Sequence, residues 1–118
     1  MNEIKEGMFI RTDDGKINKF KRYITDKKRV CETDMYARLA VDNIVKASFD
    51  IIDLIEVGDY VNGKKIVDVD CLTNGPREST KVIDYYITPN AVSYLENEDI
   101  KSVVTKEQFE SMSYRIGE

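Results

Sequence analysis

Seven cations, Lys16, Lys19, Lys21, Arg22, Lys27, Lys28 and Arg29, interleave with two rings, Phe20 and Tyr23, in one short stretch near the N-terminus. Ammonium and guanidinium groups neutralise phosphates while aromatic faces stack on bases, so this mixture suits single-stranded nucleic acid. A free nucleotide or cyclic signalling molecule needs the same chemistry in a smaller pocket. Lys19, Phe20, Lys21, Arg22, Tyr23, Lys27, Lys28 and Arg29 are therefore the candidate binding set. A solvated edge strand whose lysines block sheet-to-sheet aggregation has the same composition.

The equipment for catalysis is thinner. The chain has no histidine, which removes the commonest general base and the commonest activator of a nucleophile. GxSxG, P-loop and GxGxxG patterns are missing. Asp50, Asp53, Glu56 and Asp59 are spaced so that Asp50 and Asp53 share one side of a helical turn, where acids usually meet solvent. A metal-dependent hydrolase would need such acids to converge in space. Glu96, Glu98 and Asp99 read as a loop tip. Cys31 and Cys71 are too far apart for a metal-ligand spacing, so free, packed thiols, no metal and no cofactor are expected. The pattern favours a protein that binds and does not catalyse.

At 118 residues the chain is expected to form a single domain, residues 1–118. An apolar share of 42% with 34% charged residues is that of a globular protein. No run approaches the ~20 apolar residues that cross a bilayer. The first residues carry two acids and no apolar stretch, so an intracellular, cytoplasmic product without a secretory signal is expected. Net charge is −4, but residues 1–30 hold nine bases against five acids and the remainder nine against seventeen. A basic segment on an acidic body favours oriented association over general coating of nucleic acid.

These groups must be positioned by short strands. Asp13-Asp14-Gly15 lies between two β-prone runs and predicts a hairpin over residues 7–24. In its second strand Phe20 and Ile24 fall on one parity and Ile17 and Tyr23 on the other, which a bulge near Lys21 and Arg22 reconciles. Residues 25–34 read as a loop, and the β-branched density at Val41, Ile44 and Val45 predicts a strand over residues 40–46. Ser48 caps a helical turn over residues 50–55 with Ile51, Leu54 and Ile55 inward, ended by Gly58. Asn62-Gly63 predicts a second hairpin of type I′, returning with Val67 and Val69 toward the core. Residues 72–80 read as a surface loop, residues 81–88 as a strand ended by Pro89, and residues 100–104 as another strand. Thr105 and Gln108 have capping-box spacing for a short helix to about Met112, and residues 113–116 suit a last edge strand. The expected fold is mainly β with two short helices, either a small SH3-like barrel or a twisted antiparallel sheet.

Residues 4–10 with Gly15 to Ile17 echo residues 55–61 with Gly63 to Ile66: Ile, two intervening residues, Gly, one residue, an aromatic and a β-branched residue, then Gly-Lys and Ile. Duplication and the shared chemistry of glycine turns both account for it.

Residues 7–15, 51–63 and 99–110 resemble a family of small uncharacterised proteins from phages and prophages of Gram-positive, clostridial-type bacteria. The resemblance implies an anti-defence role in the host cytoplasm: binding a host protein, as an anti-CRISPR does, or sequestering a nucleotide immune signal. Nucleic acid held by the basic hairpin is the alternative partner. Exposed edge strands also allow a homodimer.

Overall fold

An Asp-Gly pair between β-prone runs closes a tight turn because glycine adopts positive φ without a Cβ clash. The computed structural model, which describes residues 3–76 and 78–112 with Asn74 and Met112 by backbone alone, bears this out at the first hairpin. Strand β1 (Phe9–Thr12) pairs antiparallel with β2 (Ile17–Tyr23), with Gly15 at φ 85°. The protein is mainly β, and the chain divides into two compact units, Met1–Leu54 and Ile55–Glu118.

In the first unit β3 (Val30–Thr33), β4 (Leu39–Ala40), a 3₁₀ turn at Val41–Asn43 and β5 (Ile44–Ser48) follow, giving one five-stranded sheet ordered β4-β3-β2-β1-β5. Ile4, Ile10, Phe20, Cys31, Leu39 and Ile44 form its core. The anticipated bulge is present: Phe20 lies opposite Thr33 and Arg22 opposite Glu32, so Lys21 is the extra residue. That one insertion turns Phe20 and Tyr23 to the same side, where their rings meet edge to face at 4.9 Å. Val30–Thr33 was expected as loop, yet its alternating burial is that of a strand laid on the core. The strand expected at residues 40–46 is split by the 3₁₀ turn.

Ser48 does cap the following turn. Its Oγ accepts the Asp50 N–H at 3.1 Å and donates to Asp53 Oδ2 at 2.7 Å. The turn, Ile51–Leu54, is 3₁₀ and buries Ile52 and Leu54. Leu54 and Ile55 are inward as expected, whereas Ile51 is only half-buried and Ile52 takes its place in the core. Arg11, counted above with the basic segment, is fully buried and donates from Nη1 to the Leu54 carbonyl at 2.9 Å.

In the second unit β6 (Tyr60–Val61) and β7 (Lys64–Lys65) flank Asn62 and Gly63 at φ 52° and 79°, the positive pair that a type I′ turn requires. β8 (Asp68–Gly75), β9 (Glu78–Thr88) and β10 (Ala91–Leu95) form a three-stranded meander. A 3₁₀ turn at Asn97–Asp99 leads to β11 (Val103–Val104), which returns to β6, and to helix α1 (Lys106–Met112). Residues 72–75 and 78–80 are thus paired strand where a loop was expected. Ile66 is fully buried while Val67 and Val69 are half-buried, because the interruption between β7 and β8 breaks the alternation that pointed to a valine face. Thr105 and Gln108 exchange the reciprocal capping-box bonds, Thr105 N–H to Gln108 Oε1 at 3.1 Å and Gln108 N–H to Thr105 Oγ1 at 3.3 Å. The edge strand expected at residues 113–116 lies outside the described residues. The sheets are open and antiparallel, in place of the closed barrel.

The sequence echo extends into backbone geometry. Gly7 and Gly58 share positive φ, 87° and 99°. The Gly7 N–H donates to the Phe20 carbonyl and the Phe20 N–H to the Met8 carbonyl, at 3.0 and 2.9 Å. Likewise Gly58 donates to Ile66 and Ile66 to Asp59, at 2.9 and 2.8 Å. Downstream, Cys31 pairs with Leu39 and Ile83 with Leu95. Each pair is followed by a 3₁₀ turn whose closing isoleucine, Ile44 or Ile100, bonds back to the turn's first residue. The strand after it then returns beside the first: Ala47 opposite Ile10, Val103 opposite Val61. Both units run the same course.

Candidate functional site

The Lys21 bulge decides what the basic hairpin offers. Lys19, Lys21 and Arg22 point into solvent from β2, while Phe20 is buried in the core. Phe20 is therefore a packing residue, which corrects its place in the binding set. Tyr23 is half-buried against Phe20, and its hydroxyl accepts the Ile4 N–H at 2.9 Å. On β2 the cations point outward and Phe20 inward, so the Phe20 ring offers no surface on which a base could stack.

Several of the cations are also engaged. Arg22 Nε meets Glu32 Oε1 at 2.9 Å, and Lys28 Nζ meets Glu3 Oε1 at 2.5 Å while lying 5.5 Å over the Tyr23 ring. Their mutual attraction lowers the Glu3 carboxyl below its ordinary range and raises the Lys28 ammonium. Lys19 Nζ sits 5.0 Å over the Phe9 ring. Lys21, Lys27 and Arg29 extend from the hairpin without a side-chain ion pair among the described residues.

The first unit also holds an open cleft of about 290 Å³ between the β1–β2 turn and the β3–β4 loop, lined by Thr12, Asp13, Asp14, Tyr36, Arg38 and Asn43 among others. Asp14 takes a hydrogen bond from the Thr12 hydroxyl and lies 3.5 Å from Lys16 Nζ, which holds its carboxyl below the ordinary range. Walls of both signs suit recognition by ion pairs. Sequence reasoning passed over this cleft, because a turn and a loop about 25 residues apart make it and no local motif marks it.

Among the acids, Asp59 is fully buried, accepting the Glu56 N–H at 2.7 Å and the Lys106 N–H at 2.9 Å. It pins the Gly58 turn to the start of α1 and is not part of a solvated face. Asp50 is exposed and Asp53 is held by Ser48. Among the described residues, the acids close enough to share one cation are instead Asp68, Asp70 and Asp84, within 4.8 Å of one another. Cys31 is buried, which pushes its thiol up, and Cys71 is exposed; both are free. No helix among the described residues is long and apolar enough to cross a membrane.

Comparison with family models, with curated proteins and with solved structures gave no match.

Proposed function

We propose that this is a non-enzymatic binding protein built from SH3-like units, which acts by occupying the surface of a macromolecular partner. The connectivity supports the SH3-like reading: a four-strand meander, a 3₁₀ turn, and a fifth strand beside the first. The observation that carries the functional reading is the division of labour on β2. Its rings serve the core and its cations face solvent, so the first unit presents an open, charged sheet face suited to a partner of matching shape and charge. In the setting the resemblance implies, the partner is a host defence factor met in the cytoplasm of an infected cell. The decisive experiment reconstitutes purified protein with candidate defence complexes and measures both binding and turnover. Stoichiometric inhibition without consumption of any substrate supports the proposal. Turnover abolished by one acidic substitution overturns it.

A second reading, a nucleotide or nucleic-acid binder, rests on Lys21, Lys27 and Arg29, cations on one hairpin without ion pairs among the described residues. With Phe20 in the core and Lys28 lying over the half-buried Tyr23 ring, such binding is chiefly electrostatic. It should fall steeply with salt and ignore base identity. Absence of binding to single-stranded DNA, RNA or cyclic oligonucleotides at low ionic strength removes it.

A further inference from the structure

The two units part company at one cross-strand position. Counting from the matched residues Phe20 and Ile66, Arg22 corresponds to Asp68, and their partners Glu32 and Asp84 correspond as well. In the first unit that pair is a cation and a carboxylate 2.9 Å apart. In the second it is two carboxylates, with Asp70 as a third. Asp68 accepts the Val69 N–H at 2.9 Å and Asp70 the Cys71 N–H at 2.8 Å. No cation balances the three among the described residues. Like charges so close repel, and burial together with the two neighbours raises the Asp84 carboxyl above its ordinary range.

The surroundings of these acids are apolar. Tyr94 lies opposite Asp84 on β10, and Val92 lies opposite Tyr86. Cross-strand neighbours share a face, and residues two apart on one strand share it too. Tyr86, Val92 and Tyr94 are 59%, 54% and 46% exposed, so the outer part of the β8–β10 sheet presents a contiguous aromatic surface beside unbalanced negative charge. Such a combination suits a partner carrying a cation next to an apolar side chain.

We infer that this face, Asp68, Asp70 and Asp84 beside Tyr86, Val92 and Tyr94, docks a basic protein segment, with an arginine laid over the three carboxylates where the first unit lays its own Arg22. A guanidinium fits better than an ammonium, because its planar fork bonds two carboxylates at once and its face stacks on tyrosine. The inference rests on the binding reading above and gives it a partner chemistry: a basic peptide, since the acids repel nucleic acid.

The test uses ¹⁵N-labelled full-length protein titrated with a synthetic Arg-Leu-Arg-Leu-Arg peptide and with its citrulline analogue, which keeps the shape and loses the charge. Saturable shifts confined to the amides of residues 68–71, 84–86 and 92–94 with the arginine peptide, and not with citrulline, are expected. Asp68→Arg installs the cation that the first unit possesses. It should weaken peptide binding at least ~10-fold, as loss of a central charged contact does, while thermal stability holds or rises. Asp68→Asn and Tyr86→Ser should each weaken it several-fold, and they carry the test should Asp68→Arg fail to fold. Equal binding of the citrulline peptide, undiminished binding by these variants, or no saturable shift at those amides overturns the inference. So do concentration-dependent shifts without peptide that reveal a second copy on this face. A host factor inhibited equally by wild type and Asp68→Arg overturns this surface and leaves the binding reading standing, whereas substrate turnover overturns that reading itself.

Discussion

Gly7 and Gly58 hold the same turn, Phe20 and Ile66 close the same pair of hydrogen bonds, and Val41–Asn43 and Asn97–Asp99 place the same 3₁₀ turn, yet the side chains on the two frames differ in kind. The first unit has eleven bases to ten acids and the second seven to twelve. Where the first pairs Arg22 with Glu32, the second sets Asp68 against Asp84. Between its second and third strands the first has a short loop at residues 24–29, and the second a hairpin prolonged to Gly75 and Glu78. The backbone course follows from a few glycines and buried aliphatics, and it leaves the outward groups free to take opposite electrostatic roles.

The sharpest way to break the comparison lies at the residue after the shared glycine. Met8 and Asp59 occupy it, and each accepts the N–H three residues back, Lys5 to Met8 Sδ at 3.4 Å and Glu56 to Asp59 Oδ2 at 2.7 Å. Asp59 also holds the Lys106 N–H. Asp59→Ala strands two amides and should cost roughly 2–4 kcal/mol in urea unfolding. Met8→Ala loses a weaker acceptor and part of its packing, and should cost about 1–2 kcal/mol. Equal costs would mean that the two turns are not stabilised as described.

Next in size, Gly7→Ala and Gly58→Ala each place a Cβ on positive-φ backbone and should each cost about 1–2 kcal/mol. The two costs are expected to be similar, since neither added Cβ would clash: that of Gly58 meets Lys106 Cδ at 3.5 Å and that of Gly7 meets Phe49 at 3.9 Å, both ordinary contacts. A smaller effect of opposite sign is expected at Asn18, whose buried side-chain amide has no hydrogen-bond partner. Asn18→Leu should stabilise by about 1 kcal/mol, because the desolvation of an unmet amide disappears. A loss in thermal melting would show that the amide serves a purpose the described contacts do not reveal.

Why some of this was legible and some not follows from the same residues. Asp13-Asp14-Gly15, Asn62-Gly63 and the Thr105–Gln108 box announce themselves because local backbone chemistry alone dictates them. The bulge at Lys21 could be read because Phe20 and Tyr23 must both reach one core. Val30–Thr33, β10 and the end of the β8–β9 hairpin could not, since pairing with a neighbouring strand, and not a local pattern of alternating apolar residues, holds them extended. Phe20 leaves the candidate set because plain strand alternation, with Asn18 and Phe20 inward and Lys19 and Lys21 outward, puts its ring on the core side. The Asp68, Asp70 and Asp84 cluster needed the register of β8 on β9, which no spacing in the sequence encodes.

The gentlest probe of the comparison is pH. In the first unit Glu3 is lowered by its bond to Lys28 and Asp14 by the Thr12 hydroxyl. A carboxyl whose folded pKa lies below its unfolded one, near ~4, stabilises the fold above that value, and the contribution is lost as pH falls through the folded pKa. In the second unit Asp84 and Glu96 are raised by burial and by neighbouring acids. Their contribution has the opposite sign: it is complete below the unfolded pKa and is lost as pH climbs through the folded one. Acidifying from neutrality should therefore weaken amide-exchange protection across β1–β3 while strengthening it, relative to those strands, across β8–β10. Asp68→Asn should flatten the second response by removing one of the charges that raises Asp84, and should leave the first unchanged. Protection that falls in parallel in both units, with or without that substitution, would mean that the carboxylates on β8 and β9 do not feel one another, and the contrast between the paired and the unpaired sheet face would lose its electrostatic basis.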